Sequence, residues 1–544
     1  MKNISKLLFG ICLTSALCTN TSCIEETFPT SGATKDQLGA SAKATEALLW
    51  AMPAFMNNFN TLGQTSAVHY DWGYGSVMHI RDVMTGDMPI VYSGSGYDWY
   101  DSWETNKYQG EDYIYPQFIW NYYYQLIQTA NNIIAAVNPE TANELQLGYL
   151  GAGYAFRAMA YLDVAQMYEF LPNDKTDAVN VDGNNVLNLT APIVRETTTE
   201  EEARNNPRAT REQMAEFIKG DLELAEELIG NLKEASKALP HKDVVYGLQA
   251  RLHMWLGEYA AAKDCARKAI NASSVRPMNE NDCLSTTKGF NTLSAWMWGS
   301  QLMAEDASVK TGIINWTSWC SNETTYGYAG VEPRLMIDAR MYERISDTDF
   351  RKKMWKAPKG TRLEGQTAFI DEEFAADFED YVSAKFRPNE GNMEVSTVGS
   401  AAAYPLMRVE EMYFIEAEAA AHLNAADGKA LVTDFMKAYR DPKYLCDASS
   451  SEDVVEEIVF QKRVELWGEG LAFFDVKRLN MSVTRGYEGT NFHDMARLNT
   501  NGRPAWMNFC IVKSEANNNK ALVGMNNPNP TDAYTPWVSE TEKN

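Results

Sequence analysis

The sequence predicts an all-α fold: a scaffold of paired, tetratricopeptide-like helices carrying long, loop-rich insertions dense in aromatic rings. Three observations predict it. Apolar residues recur at three- and four-residue steps in segment after segment, without a sustained strand-like alternation. Two segments read as helix hairpins, each joined by a short break, the first with alanines where its helices would cross. Between the helices lie stretches well beyond the roughly 15 residues at which structureless loops become uncommon. These stretches do not read as disordered, because Tyr70 to Tyr124 holds 16 aromatics in 55 residues against 11% for the whole chain.

The elements follow in chain order. Residues 1–22 have a basic start (Lys2, Lys6) and an apolar stretch from Leu7 to Leu17, the plan of a secretory signal peptide and too short to span a bilayer. The segment ends Asn20-Thr21-Ser22-Cys23, which resembles a bacterial lipoprotein cleavage site with Cys23 as the lipidated residue; the rival cleavage before Cys18 would place Leu17 where a small residue is wanted. Residues 23–40 then form a lipidated N-terminal linker that opens with the acidic pair Glu25 and Glu26, and residues 41–544 one domain. Its helical scaffold is expected mainly at 41–64, 113–171, 210–274 and 406–480, its loop-rich insertions at 65–112 and 275–400, and an irregular Asn- and Pro-rich tail at 481–544.

Within the scaffold, Tyr154 to Phe170 reads as a helix, with Ala158, Tyr161, Leu162, Ala165 and Tyr168 on one stripe and a stop before Pro172, and Phe118 to Tyr124 belong to another that continues to Val137. Met214, Phe217, Ile218, Leu222, Ala225 and Leu228 form a similar stripe. Val244 to Leu256, the turn Gly257-Glu258-Tyr259, and Ala261 to Ile270 make the first hairpin. Met412 to Leu423, a break at Asn424 to Gly428, and Ala430 to Tyr439 make the second, with Glu452 to Leu479 adding further helix.

Charge and motif exclude several function classes. The balance is 49 Lys+Arg against 73 Asp+Glu, or −24, and −26 once residues 1–22 are removed, so the long-range field repels nucleic acid. Cys265, Cys283, Cys320, Cys446 and Cys510 show no zinc spacing and read as isolated thiols. No HExxH, GxSxG or GxxxxGK[ST] pattern occurs, so no catalytic residue, cofactor or metal is assigned. Glu465 and Glu469, four apart on a helix, read as members of a structural ion-pair network with Arg463, Lys477 and Arg478 nearby.

The order of several short segments resembles the SusD/RagB family of outer-membrane nutrient-uptake lipoproteins. They are Arg157-Ala158-Met159-Ala160-Tyr161 running to Leu171-Pro172, Pro207-Arg208-Ala209-Thr210 leading to Gly220-Asp221-Leu222, and the hairpin from Leu248 to Ala269. Met407-Arg408-Val409-Glu410-Glu411-Met412, Arg463-Val464-Glu465-Leu466, Glu469-Gly470 and Phe474-Asp475-Val476-Lys477-Arg478 complete the series. The resemblance implies a lipoprotein on the outer face of the outer membrane that binds oligosaccharides and delivers them to a SusC-like TonB-dependent transporter, without catalysis. A peptide-capturing member, an all-α glycoside hydrolase and a protein-binding scaffold are the alternatives.

A sugar ring has an apolar face and a polar rim, so a glycan site needs flat rings beside hydrogen-bonding groups. Two segments offer both. The first contains Trp72, Tyr74, Tyr97, Trp99, Tyr100 and Trp103 with Asn106, and its Gly94 and Gly96 loosen the backbone ahead of Trp99. The second contains Trp316, Trp319, Asn322 and Tyr326; Trp296 and Trp298 before it suit a strand face on the core equally well.

Overall fold

The computed structural model describes residues 41–287 and 289–539, and the expected signal segment, Cys23 and its linker lie outside them. Among the described residues the fold is helical, with one two-stranded sheet. α1 (Ala42–Phe55) is capped by the Ser41 side chain, which accepts from Ala44 N–H. α2 (Tyr74–Val83) lies inside the first insertion, where no helix was expected. All ten of its residues are buried, so it has no solvent face and therefore no amphipathic stripe to read.

α3 (Ile114–Ala136) and α4 (Glu144–Tyr168) follow, and α4 begins ten residues before the expected helix, at a capping box between Asn143 and Gln146. Glycines obscured that start and also explain it. A Cβ at Gly148 would lie 2.4 Å from Leu232 N and one at Gly151 2.8 Å from Ile229 N, so the turn that follows α5 (Arg211–Leu228) sits directly on the backbone of α4. Arg157 of α4 grips Asp221 of α5 through two bonds of 2.8 Å, joining two of the sequence's signature segments.

α6 (Lys242–Leu256) and α7 (Tyr259–Ala272) form the first hairpin, with a turn of only two residues. Gly257 takes φ +73°, and the Glu258 N–H closes back on the His253 carbonyl at 2.9 Å, a left-handed helix stop that a side chain would strain. α7 packs on both α6 and α8 (Val409–Leu423), and α8 on α9 (Ala425–Tyr439) and α10 (Ser451–Glu465), so the helix pairs stack into one array. The second hairpin breaks at Asn424 alone, whose side chain caps α9. The last helical stretch divides into α10 and α11 (Ala472–Arg478).

β1 (Trp298–Gln301) and β2 (Ala403–Met407) pair antiparallel, Ser300 opposite Tyr404, and bring the two ends of the second insertion side by side. Trp296, Met297 and Trp298 are all buried. The tail is irregular in conformation but partly interior: Asn527 is buried and donates to the Tyr168 and Phe509 carbonyls, both at 2.8 Å. Among the described residues, Cys265, Cys283, Cys320, Cys446 and Cys510 are all buried and unpaired.

One buried charge cluster ties these parts together. Glu465 accepts from Arg408 (2.6 Å), Arg440 (2.6 Å) and Arg351 (3.2 Å), while Glu469 holds Arg408 (2.9 Å) and Lys385 (2.7 Å). Glu410 adds contacts to Arg408 and Arg440, and Asp349 one to Arg351. The network is structural, as expected, but its partners differ from those nearest in sequence. Arg463 pairs with Asp87, Arg478 with Glu418 and Asp475, and Lys477 donates to the Met167, Glu169 and Met507 carbonyls.

Removing one partner from such a cluster leaves a buried charge uncompensated, at a cost of about 3–5 kcal/mol. Arg408→Met is therefore expected to lower the urea midpoint by that equivalent. Arg204→Ala, which breaks an exposed pair with Glu200, should barely move it. Equal midpoints for the two variants would contradict the ranking.

Candidate functional site

The two ring-rich segments chosen from sequence meet in space. Trp72 and Trp316 are edge to face at 6.2 Å, Tyr100 and Trp319 at 4.9 Å. Most of this assembly faces inward. Trp72, Tyr74, Tyr100, Trp103, Trp316 and Trp319 are buried, with Trp72 and Trp103 each only 1% exposed. As ligand platforms they are corrected to core residues, and each burial has a cause.

Tyr74 donates to Asp163 at 2.7 Å within a knot that also takes in Arg81 (2.8 Å) and Tyr123 (2.8 Å), joining α2, α3 and α4. Tyr100 shares a 2.8 Å bond with Ser76. Trp103 packs on Tyr70 and Tyr115, and Trp316 stacks on Tyr404 at 4.7 Å. Asn106 and Asn322 are also inside: Asn106 donates to the Pro530 carbonyl at 2.7 Å, and Asn322 bridges the Leu335 and Ser383 carbonyls. Their polarity serves the backbone.

Tyr97, Trp99 and Tyr326 remain at or near the surface. Tyr326 lies apart, accepting from Ser400 at 3.3 Å. Tyr97 is 42% exposed and meets Tyr328 edge to face at 5.5 Å. Half-buried Trp99 stacks on His69 at 4.5 Å with only 11° between planes. The His69 ring in turn bonds the Tyr328 hydroxyl, and Tyr328 stacks on Trp319 at 4.1 Å. Trp319 completes the set by donating from Nε1 to the His69 carbonyl at 3.0 Å. Burial lowers the His69 pKa, which favours the neutral ring in this stack.

The loop in front of Trp99 is held by its own charge. Asp98 accepts from Ser93 N–H at 2.7 Å and Gly94 N–H at 2.9 Å, while Gly94 and Gly96 take φ of +65° and +90°. The Ser95 hydroxyl reaches Glu332 at 2.5 Å, tying the loop to the second insertion. Beneath it is a small cleft lined by Tyr92, Tyr97, Asp98, Trp99, Asp101 and Glu104, among others. Sequence reasoning did not select Tyr92, which is exposed and stacks on His493 at 5.1 Å. It could not have found His493, which comes from the tail, 389 residues from its partner Glu104. A second group of exposed rings, Tyr108 and Tyr113, also went unselected.

His493 Nε2 lies 3.0 Å from Glu104 and 3.8 Å from Asp101. The three ligand atoms fall within 4.8 Å of one another, close enough together that they could hold a metal ion. Burial, and then Glu104, push Asp101 up to about 6. Burial opposes the His493 imidazolium, but Glu104 and Asp101 outweigh it and raise its pKa.

Comparison with known proteins places this geometry in context. Residues 54–254 match a family described as starch-binding and associating with the outer membrane, and residues 261–535 match the SusD family. A SusD-like carbohydrate-binding protein from Bacteroides vulgatus superposes with a TM-score of 0.67 at 24% identity, covering 88% of this chain and 97% of its own. Surface glycan-binding protein A from Bacteroides thetaiotaomicron, solved with laminarihexaose, gives 0.59 at 15% identity over 89% and 99%. Its namesake from Bacteroides uniformis gives 0.61 at 15% identity over 90% and 99%. No curated protein matches the chain.

Asp101 and His493 both hold protons more tightly here than in an unfolded chain. The stability of this corner is therefore full below about pH 4, and is lost as pH rises through about 6 and on through the raised His493 value. Melting temperatures at pH 5 and pH 8 should differ more for the parent than for an Asp101→Asn, His493→Gln variant. An unchanged difference would remove the assignment.

Proposed function

The chain belongs to the SusD family, and from that membership we propose that it is a cell-surface lipoprotein, anchored through Cys23, that binds nutrient oligosaccharides. It passes them to a SusC-like TonB-dependent transporter and performs no chemistry on them. The observation that carries the reading is the surface pair of Tyr97 and Trp99. Trp99 is stacked on His69 and backed by Tyr328 and Trp319, with Asp98 and Asp101 beside it.

The apolar face of a pyranose ring lies against an indole, and its hydroxyls reach neighbouring carboxylates. The stack beneath Trp99 fixes that ring before ligand arrives, so little side-chain freedom is lost on binding. Asp98 and Asp101 accept hydrogen bonds from hydroxyls, which suits a neutral saccharide and repels an acidic one. The residues carrying the proposed site are thus Tyr97 and Trp99, with His69, Tyr328 and the two aspartates placing or flanking them. Release follows from the same economy of contact: two rings and two carboxylates hold a chain segment without enclosing it.

In affinity electrophoresis against immobilised oligosaccharide, a Tyr97→Ala, Trp99→Ala variant is expected to lose about tenfold in affinity, the ratio that about 1.4 kcal/mol represents. Undiminished retardation would remove these rings from the site. Absence of glycan retardation in the parent, with peptide binding in its place, would favour a peptide-capturing role. Labelled oligosaccharides incubated with the protein should keep their length, and new reducing ends would revive a hydrolase.

The anchor is tested separately, since Cys23→Ala should move the protein from the membrane fraction to the medium or periplasm. Continued membrane association would contradict lipidation.

A further inference from the structure

A second cleft, remote in sequence from the ring site, opens between the end of α4, the start of α5, the α6–α7 turn and α11. It has a volume of about 230 Å³, and Arg211, Lys477, Arg478, Arg503, Glu169 and Trp255 are among the residues on its wall. Four cations thus face a single carboxylate in a chain whose net charge is −24. Counting the residues behind the wall does not restore balance. Glu418 and Asp475 hold Arg478, but Asp475 also holds Lys462 at 2.9 Å.

Two of these cations have no carboxylate partner. Lys477 is buried and spends its three protons on the Met167, Glu169 and Met507 carbonyls, at 3.0, 2.8 and 2.6 Å. Arg503, only 7% exposed, donates to the Lys477 and Pro172 carbonyls and leaves one η-nitrogen with no protein acceptor among the described residues. Arg211 pairs with Glu169 at 2.6 Å, donates its other η-nitrogen to the Trp255 carbonyl, and lies over the Trp255 ring, its centre 4.8 Å away. Burial pushes the Lys477 pKa well down, and Arg503, Arg208 and Arg211 add to it against Glu169.

A buried charge is costly unless it is compensated. Carbonyl dipoles satisfy the N–H groups without supplying negative charge, so the field inside the cleft stays positive, and the remaining Arg503 η-nitrogen is left to meet whatever enters the cleft that Arg503 lines. From this we infer that the cleft binds a small oxyanion, a carboxylate, sulfate or phosphate group, held by Arg503 and Arg211 over the Lys477 ammonium. The free Arg503 η-nitrogen offers such a group a charge-assisted donor, and the Arg211 guanidinium adds positive charge beside it. Trp255 and the partly buried Tyr259 leave apolar wall on which a carrier of that group, such as an acidic sugar, would rest. The site is independent of the ring surface and differs from it in sign: carboxylates flank Trp99, and cations line this cleft.

The test is titration calorimetry on the full chain with sodium sulfate and with galacturonate, against sodium chloride at equal ionic strength. Saturable binding of at least one oxyanion is expected, with chloride silent. Arg503→Gln, which keeps a donor for the Pro172 carbonyl, should weaken binding at least tenfold, and Arg211→Lys, which keeps a cation beside Glu169, several-fold. Tyr97→Ala, Trp99→Ala should leave it unchanged, so failure here and failure of the glycan reading are separable. Equal affinity for sulfate and galacturonate marks a bare oxyanion site, and tighter galacturonate an acidic-sugar site. Absence of saturable binding in the unaltered protein overturns the proposal, as does undiminished affinity in a folded Arg503→Gln variant.

Discussion

The structure depends on neutralising charge in its interior. Arg351, Lys385, Arg408 and Arg440 meet Asp349, Glu410, Glu465 and Glu469 with almost no access to water. Four charges of each sign balance there, and the residues come from the start of α8, the ends of α9 and α10, and the second insertion. Such a cluster need not be more stabilising than an apolar core of the same shape, but it tolerates few alternative arrangements, because any misplacement strands a charge. It therefore acts as a register mark that fixes where the insertion meets the helical array. Arg157 with Asp221 and Arg81 with Asp163 do the same between α4 and its neighbours.

That constraint explains the fate of the aromatic rings. An insertion pinned to a helical array at several buried points must fill the space beneath it, and large flat side chains do so with little loss of conformational freedom. Most of the tryptophans were consumed in this way. What reaches the surface is the outermost layer of a continuous stack, in which Trp319 supports Tyr328 and His69, and His69 supports Trp99. The interior rings thus serve the proposed site indirectly, as the foundation beneath exposed Tyr97 and half-buried Trp99.

Helices of the array that keep one wet face were legible from their stripes, as α5 and the α6–α7 hairpin show. α2 was not legible, since a helix covered on every side loses its periodicity, and the first ten residues of α4 were hidden by glycines needed for close approach. The two ring-rich segments picked out from the sequence do meet in space, but most of the rings named in them are buried, Tyr97 and Trp99 being exceptions. Composition counts rings but does not record which way they point, so Trp103 and Trp99, four residues apart, looked equivalent. Glu465 was legible as a structural carboxylate, yet its partners lie 25 to 114 residues away, and no local pattern names them. Nor does any local pattern bring His493 to Glu104.

The short β1–β2 ladder has a further consequence. Because Ser300 stands opposite Tyr404, the chain leaves the array and returns to it at neighbouring points, and Asn57, just past the end of α1, fastens both strands through Gln301 and Tyr404. Everything between those strands is a closed excursion with a fixed gate. Since the entropy of closing a loop grows only with the logarithm of its length, the excursion can lengthen, shorten or change its tip while the gate and the stacked helices stay as they are. Descendants of one such chain could diverge in what they grasp while keeping the frame that presents it.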